Sequence, residues 1–271
     1  MPLPNDMPVS EDTLEGGVVL VTMSPEASSN TFSETNFIPL VATLDKLMKD
    51  PDCRSIVLTG TGRFFSVGGN IDDFHRGIEE GKIGDMVKKM TDKLHPLLLR
   101  IRASETVLIC AMNGSAAGGG LGLSLAADYR ICTPETKLAP AFFSLGLPPD
   151  GGMTWLLPRL VGFQNAKRFF FEGMPWSAKF ALKKGAVDEI VEKEALLDRS
   201  IQIGREWGSW SVNSRRSTKQ LLDASTSTFF ETQLHFEQSL MIAASQTRDF
   251  SEGVSAFREK REPIFTSSEE E

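Results

Sequence analysis

Short apolar runs alternate with helical repeats along the first two thirds of this chain. Residues 18–23, 56–59, 107–112 and 129–132 are rich in Val, Ile and Leu, too short for helices, and read as strands. Between the first two, Phe37, Leu40, Val41, Leu44 and Leu47 recur at helical spacing and predict an amphipathic helix over 37–48. Another helix is expected over about 86–101, and the charged, glycine-bearing stretch 78–84 reads as a mobile surface loop or short helix. Strand and helix in alternation indicate an α/β fold. Residues 1–17 are polar and contain prolines, so they read as a loose arm. A short helix over 178–184 precedes a turn and strand through 191, and 193–262 lacks strand signals and reads as helical. The expected organisation is an arm (1–17), a core (18–192) and a C-terminal helical region with a polar tail (193–271).

Two of the strands run into glycine turns. The run 107–111 leads to Asn113-Gly114-Ser115-Ala116-Ala117-Gly118-Gly119-Gly120-Leu121-Gly122, and the apolar stretch after it reads as a buried helix. The run 56–60 leads to Phe65-Ser66-Val67-Gly68-Gly69-Asn70. A helix begins with backbone N–H groups that lack internal partners, and glycine lets them approach a ligand without an intervening Cβ. Two such turns supply two donors for one thioester oxygen, and a donor of that kind is worth roughly 3–4 kcal/mol to an enolate or tetrahedral oxyanion. A single glycine triplet also serves plain strand–helix packing. The pair of turns is what points to chemistry.

Composition narrows the function classes. A net charge of −7, with no stretch rich in Lys and Arg, argues against nucleic acid as the main partner. Cys53, Cys110 and Cys132 have no C-x-x-C spacing, and two lie in apolar runs, which fits free thiols in a reducing compartment. The first sixteen residues carry Asp6, Glu11, Asp12 and Glu15 and no basic residue, the last five are no peroxisomal address, and there is no long apolar run. A cytoplasmic protein with no membrane partner is expected. His75 and His235 lack partners at metal spacing, so no metal is assigned. There is no complete dinucleotide fingerprint, P-loop or nucleophile elbow.

The segments Phe65 to Gly69, Asn113 to Gly122 and Leu156-Leu157-Pro158-Arg159-Leu160-Val161-Gly162, with the tail Glu252 to Pro263, together resemble the crotonase (enoyl-CoA hydratase/isomerase) superfamily. The likeness extends over about 18–265. It implies a spiral of ββα units with a C-terminal helical region, an acyl-CoA substrate, no cofactor beyond the coenzyme A of that substrate, and a homotrimer or hexamer. By match to the superfamily, Gly69 and Gly119 are the oxyanion donors.

The resemblance also shows what is missing. Hydratases of this superfamily use two carboxylates, and the corresponding positions here are Gly122 and Phe142, neither of which can move a proton. Another acid stands in Leu147-Pro148-Pro149-Asp150-Gly151-Gly152. Its distance from Gly119 along the chain resembles the Δ3,Δ2-enoyl-CoA isomerases, in which one carboxylate takes a proton from Cα and returns it to Cγ. Phe142, Phe143, Leu147 and Trp155 are the expected apolar wall around it, and Ala27, Gly68 and Ile71 the other substrate contacts. Met86 and Met90 are further residues that can line an acyl tunnel. An Asp in a Pro-Asp-Gly turn can also merely cap backbone N–H groups.

His95 adds a second reading, because the same interval and Asn113 to Leu123 are similar to 4-chlorobenzoyl-CoA dehalogenase, where a histidine works with an Asp nucleophile placed like Asp150. A lone histidine on a helix can equally be structural. Phe257 and Lys260 match tail positions that in family members reach the adenine region of a neighbouring subunit, while Ser24 replaces the basic residue frequent in the nucleotide loop. Three functions stay open: double-bond isomerisation through Asp150, aryl-CoA dehalogenation or thioester hydrolysis through Asp150 and His95, and thioester binding without chemistry.

Overall fold

The computed structural model describes residues 7–265. It opens with a hairpin of β1 (Val9–Leu14) and β2 (Val18–Met23), antiparallel and turned by Gly16 and Gly17, whose φ angles of 82° and 72° favour glycine. This corrects the expectation of a loose arm over 1–17. Residues 9–14 form a sheet edge, ordered by backbone pairing that composition does not reveal and tied to the following helix by a Lys46–Glu11 ion pair. Residues 1–6 of the arm and the polar tail 266–271 lie outside the described residues.

Three ββα turns follow. The first enters through α1 (Pro25–Ser29) and α2 (Glu34–Leu47) and comprises β3 (Ser55–Thr59), β4 (Phe64–Ser66), α3 (Ile71–Glu79) and α4 (Ile83–Ala103). The second is β5 (Val107–Met112), β6 (Ser115–Ala117) and α5 (Gly118–Ala126). The third is β7 (Tyr129–Cys132), β8 (Lys137–Ala139), α6 (Met153–Val161) and α7 (Phe163–Glu172). Then come β9 (Trp176–Ser177), α8 (Ala178–Lys184), β10 (Glu189–Ile190) and the helices α9 (Leu196–Gly208), α10 (Val212–Ala224), α11 (Phe230–Ser245) and α12 (Arg248–Glu259).

Among the described residues, one sheet runs β1-β2-β3-β5-β7-β10, parallel except for β1, and the other β4-β6-β8-β9. The central strands β3 and β5 of the larger sheet are buried along their whole length because both faces are covered. Ile56, Leu58, Leu108, Cys110 and Met112 face one core with α2, α4, α5 and α6, whereas Val57, Val107, Ile109 and Ala111 face a second core against α9. Each fully buried side chain of this size contributes about 1.5–3 kcal/mol.

Helix α9 lies close to the sheet. A Cβ on Gly204 would stand 2.8 Å from Ser55 Oγ, and Leu196 and Ile203 belong to the second core. Helix α9, on the C-terminal side of the division expected at 192/193, thus packs directly on the sheet of the core.

Candidate active site

The two glycine turns leave the same end of the sheets and are stapled together by Asn113. Its Oδ1 accepts from Gly60 N–H at 3.0 Å, and its Nδ2 donates to Phe64 O at 3.1 Å and Gly62 O at 3.3 Å. A Cβ on Gly114 would stand 2.1 Å from Arg63 O, so only glycine lets the backbones meet there. Further on, Gly68 (φ 93°) and Gly118 (φ 52°) bend the turns toward each other, and a Cβ on Gly68 would lie 3.6 Å from Gly119 N. Among the described residues, neither the Gly69 nor the Gly119 N–H has a protein acceptor. Asn70 caps α3 by accepting from Asp72 and Asp73 N–H at 2.8 and 3.4 Å, which leaves Gly69 just outside that helix. Gly119 stands in the uncapped first turn of α5. Two unpaired donors thus sit side by side at helix starts, an arrangement that stabilises an oxyanion.

Asp150 approaches from the third turn. A Cβ on Gly151 would lie 3.6 Å from Gly119 Cα and 3.6 Å from Leu94 of α4, which places the acid's turn between Gly119 and that helix. Asp150 Oδ1 is 2.8 Å from His95 Nε2, with 42% of the Asp and 51% of the His side chain exposed. When the acid is ionised, the imidazole N–H donates and the other carboxylate oxygen is left for a substrate. Among the described residues no turn N–H bonds this carboxylate.

Of the two positions expected to correspond to hydratase acids, Gly122 has no room for a side chain and Phe142 is half-buried. A Cβ on Gly122 would stand 2.4 Å from Gly151 O, so the backbone of the acid's own turn occupies that space. Phe142 is half-buried against the main core, its ring 4.0 Å from where a Gly118 Cβ would be.

Several expected contacts lie elsewhere. Trp155 is not part of a wall around Asp150. Its ring is covered by Arg159 at 3.6 Å and faces a cleft shared with Trp207 and Leu222, because Met153, Leu156 and Leu157 take the buried face of α6. Ala27 is buried and its carbonyl accepts from Thr31 Oγ1 at 2.7 Å, so it presents no free group. Ser24 Oγ caps α1 by accepting from Ala27 N–H at 3.1 Å. Phe143 is exposed and packs edge-on against Phe171 at 5.2 Å, and Leu147 is also exposed, so the single chain closes no apolar wall around the acid. Ile71 is exposed at the start of α3. Phe257 and Lys260 stand exposed at the end of α12.

Burial pushes the Cys53, Cys110 and Cys132 thiols up to about 12, which makes them poor nucleophiles. Among the described residues no cluster of His, Cys, Asp and Glu fits a metal.

A cavity of 880 Å³ opens beside the turns, among α2, α3 and α4. Phe32, Phe37, Phe74, Met86 and Met90 supply its apolar lining, and an Arg100–Asp45 pair with contacts of 2.7 and 2.9 Å clamps α4 to α2. Phe32 and Phe74 also back Gly119 and Gly69, since a Cβ on either glycine would stand 2.9 or 2.7 Å from their rings. Sequence reasoning missed Asn113, Phe32 and Phe74 as site-building residues. An Asn directly after an apolar strand was the signal available for the first.

Converging glycine turns beside one poised carboxylate define an acyl-thioester site of the crotonase type. The chain matches the enoyl-CoA hydratase/isomerase family over residues 13–268 and belongs to it. It is 33% identical to 1,2-epoxyphenylacetyl-CoA isomerase of Escherichia coli (strain K12), over 93% of this chain and 96% of that protein. It is 26% identical to trans-2-decenoyl-[acyl-carrier-protein] isomerase of Streptococcus mutans, over 93% and 96%. The fold matches the crystal structure of enoyl-CoA hydratase from Bacillus anthracis with a TM-score of 0.88 at 27% identity, over 97% of this chain and all of that one. This protein is accordingly an enzyme of the crotonase superfamily, as the sequence motifs implied.

Proposed function

We propose that this enzyme shifts the double bond of a 3-enoyl thioester into conjugation, with Asp150 as the only proton carrier and the Gly69 and Gly119 N–H groups as the oxyanion hole. The observation that carries this reading is the pairing of one carboxylate, free of turn N–H bonds, with a hydratase acid position filled by Gly151 O. Asp150 takes the proton from Cα, and the C–H electron pair delocalises into the thioester as a dienolate held by the two N–H groups. The protonated acid then delivers the same proton to Cγ, the Cα=Cβ bond forms and the carbonyl is restored. His95 holds Oδ1 so that the second oxygen faces the substrate. Support also comes from the names of the Escherichia coli and Streptococcus mutans relatives, both isomerases.

The proposal extends to coenzyme A as part of the substrate, with no further cofactor, and to a homo-oligomer. Exposed apolar residues on the last helices, among them Phe230, Met241 and Phe257 (86% exposed), support self-association, and in such an assembly the proposal has Phe257 and Lys260 contact a neighbour's ligand. Among the described residues no helix is long and apolar enough to cross a membrane.

The 2.8 Å His95–Asp150 contact favours one second reading. In it Asp150 attacks an aryl-CoA carbon, halide leaves, and water deprotonated by His95 hydrolyses the aryl ester and regenerates the acid. Incubating the enzyme with a 3-enoyl-CoA and, separately, a 4-halobenzoyl-CoA in H2(18O) distinguishes the two. The conjugated thioester without added oxygen supports isomerisation, and halide release with the aryl thioester retained supports the second reading.

A further inference from the structure

Resting on the isomerase reading for its choice of thioester, we infer that the cavity among α2, α3 and α4 receives the acyl tail, that the substrate class is a long unbranched aliphatic acyl group, and that Met86 and Met90 set its length. The cavity adjoins the site at two places. Phe32 and Phe74 line it and also press against Gly119 and Gly69. On α4, Met86, Met90 and Leu94 follow at intervals of four residues, which puts them on one stripe. The first two line the cavity and the third meets Gly151 beside Asp150. Two helical steps of four residues span about 12 Å at 1.5 Å per residue. Leu94 itself is buried, and the cavity lies further along the same face of α4 from the acid's turn.

Size and chemistry select the tail. At 880 Å³ the cavity lies near the top of the ~300–1,000 Å³ range of small-molecule pockets, more than a four-carbon group or a single aryl ring fills. Methionine side chains adapt to a flexible chain. The charges are confined to an exposed lip, where Lys89 and Glu34 bridge α4 and α2 at 3.6 Å. Acids outnumber bases among the lining residues, which disfavours the phosphates of a nucleotide as the occupant.

The test measures binding of saturated acyl-CoA thioesters from butanoyl to tetradecanoyl, and of phenylacetyl-CoA and CoA itself, to wild type, Met90→Trp, Met86→Trp and Met86→Ala, with a thermal melt of each. Turnover of 3-enoyl-CoAs of matching lengths is followed in parallel. Wild-type affinity is expected to rise roughly fourfold per methylene, the equivalent of ~0.8 kcal/mol, up to decanoyl or beyond. Either Trp variant is expected to lower the decanoyl-to-butanoyl affinity ratio by about tenfold, and Met86→Ala to move the optimum to longer chains. The inference is overturned by affinity independent of chain length, by phenylacetyl-CoA binding more tightly than octanoyl-CoA, or by folded variants that weaken CoA as much as decanoyl-CoA. Because the saturated thioesters cannot isomerise, graded binding with no turnover at any length removes the isomerase reading and leaves the cavity assignment standing.

Discussion

Gly122 and Gly151 are locked together: a Cβ on Gly122 would stand 2.4 Å from the Gly151 carbonyl oxygen. The turn that presents Asp150 thus occupies the volume that any side chain at position 122 would need. Gly122→Glu is therefore expected to give no hydratase. Overpacking against backbone costs about 1–3 kcal/mol or more, and even Gly122→Ala should show a lowered melting temperature. Measured water addition to a 2-enoyl-CoA by a folded Gly122→Glu variant would contradict this packing argument.

Asn113 holds the two oxyanion turns in register through its bonds to Gly60, Gly62 and Phe64. Asn113→Ala leaves the Gly60 N–H and the Phe64 and Gly62 carbonyls, which are part-buried or exposed, without this partner, at a cost of about 1–3 kcal/mol. Asn113→Asp keeps the acceptor for Gly60 N–H and sets a carboxylate against two carbonyls, so it is expected to be no better. Denaturant melts report the stability loss, and kcat on a thioester substrate is expected to fall by about tenfold or more as the donors lose alignment.

The His95–Asp150 contact separates the two chemical readings. If the imidazole only positions the carboxyl, His95→Gln, which also donates to Oδ1, retains isomerase activity within about tenfold while His95→Ala loses more. If it is the acid–base group of a hydrolytic cycle, both variants lose about 10²–10⁴ in kcat. The kcat ratio of Gln to Ala on each substrate is the deciding quantity.

The buried thiols predict alkaline sensitivity. Cys53, Cys110 and Cys132 are held up to about 12, from 9.0, by desolvation. Above pH 9 the unfolded chain has lost thiol protons that the folded chain keeps, so the contribution is full below pH 9 and is lost as pH rises toward 12. Denaturation at pH 8 and pH 10 is expected to show a smaller loss for a variant with all three replaced by Ala. At pH 8 the native protein should not react with a thiol reagent, and the unfolded protein should.

Strands β3 and β5 and both glycine turns were legible because their signals are local. The continuous apolar runs encode a doubly covered sheet, and the glycines mark positive φ and close backbone approach at Gly68, Gly114 and Gly118. Strand β1 was not legible, because Glu11 and Asp12 on a sheet edge look like a solvated arm until the partner strand is known. Trp155 follows Asp150 closely in sequence, but the turn at Gly152 and the helical period of α6 carry it to a different cleft. The contact of His95 with Asp150 was reachable only through the family resemblance, and that of Phe32 with Gly119 joins distant parts of the chain that no local pattern links.

The most direct measurement is the conversion of a 3-enoyl-CoA to its conjugated isomer by wild type and Asp150→Asn, with thioester binding determined on the same preparations. Proton shuttling through Asp150 requires turnover by wild type and its near-complete loss in Asp150→Asn at unchanged affinity. A folded Asp150→Asn enzyme that still isomerises at the wild-type rate would contradict the role assigned to this carboxylate.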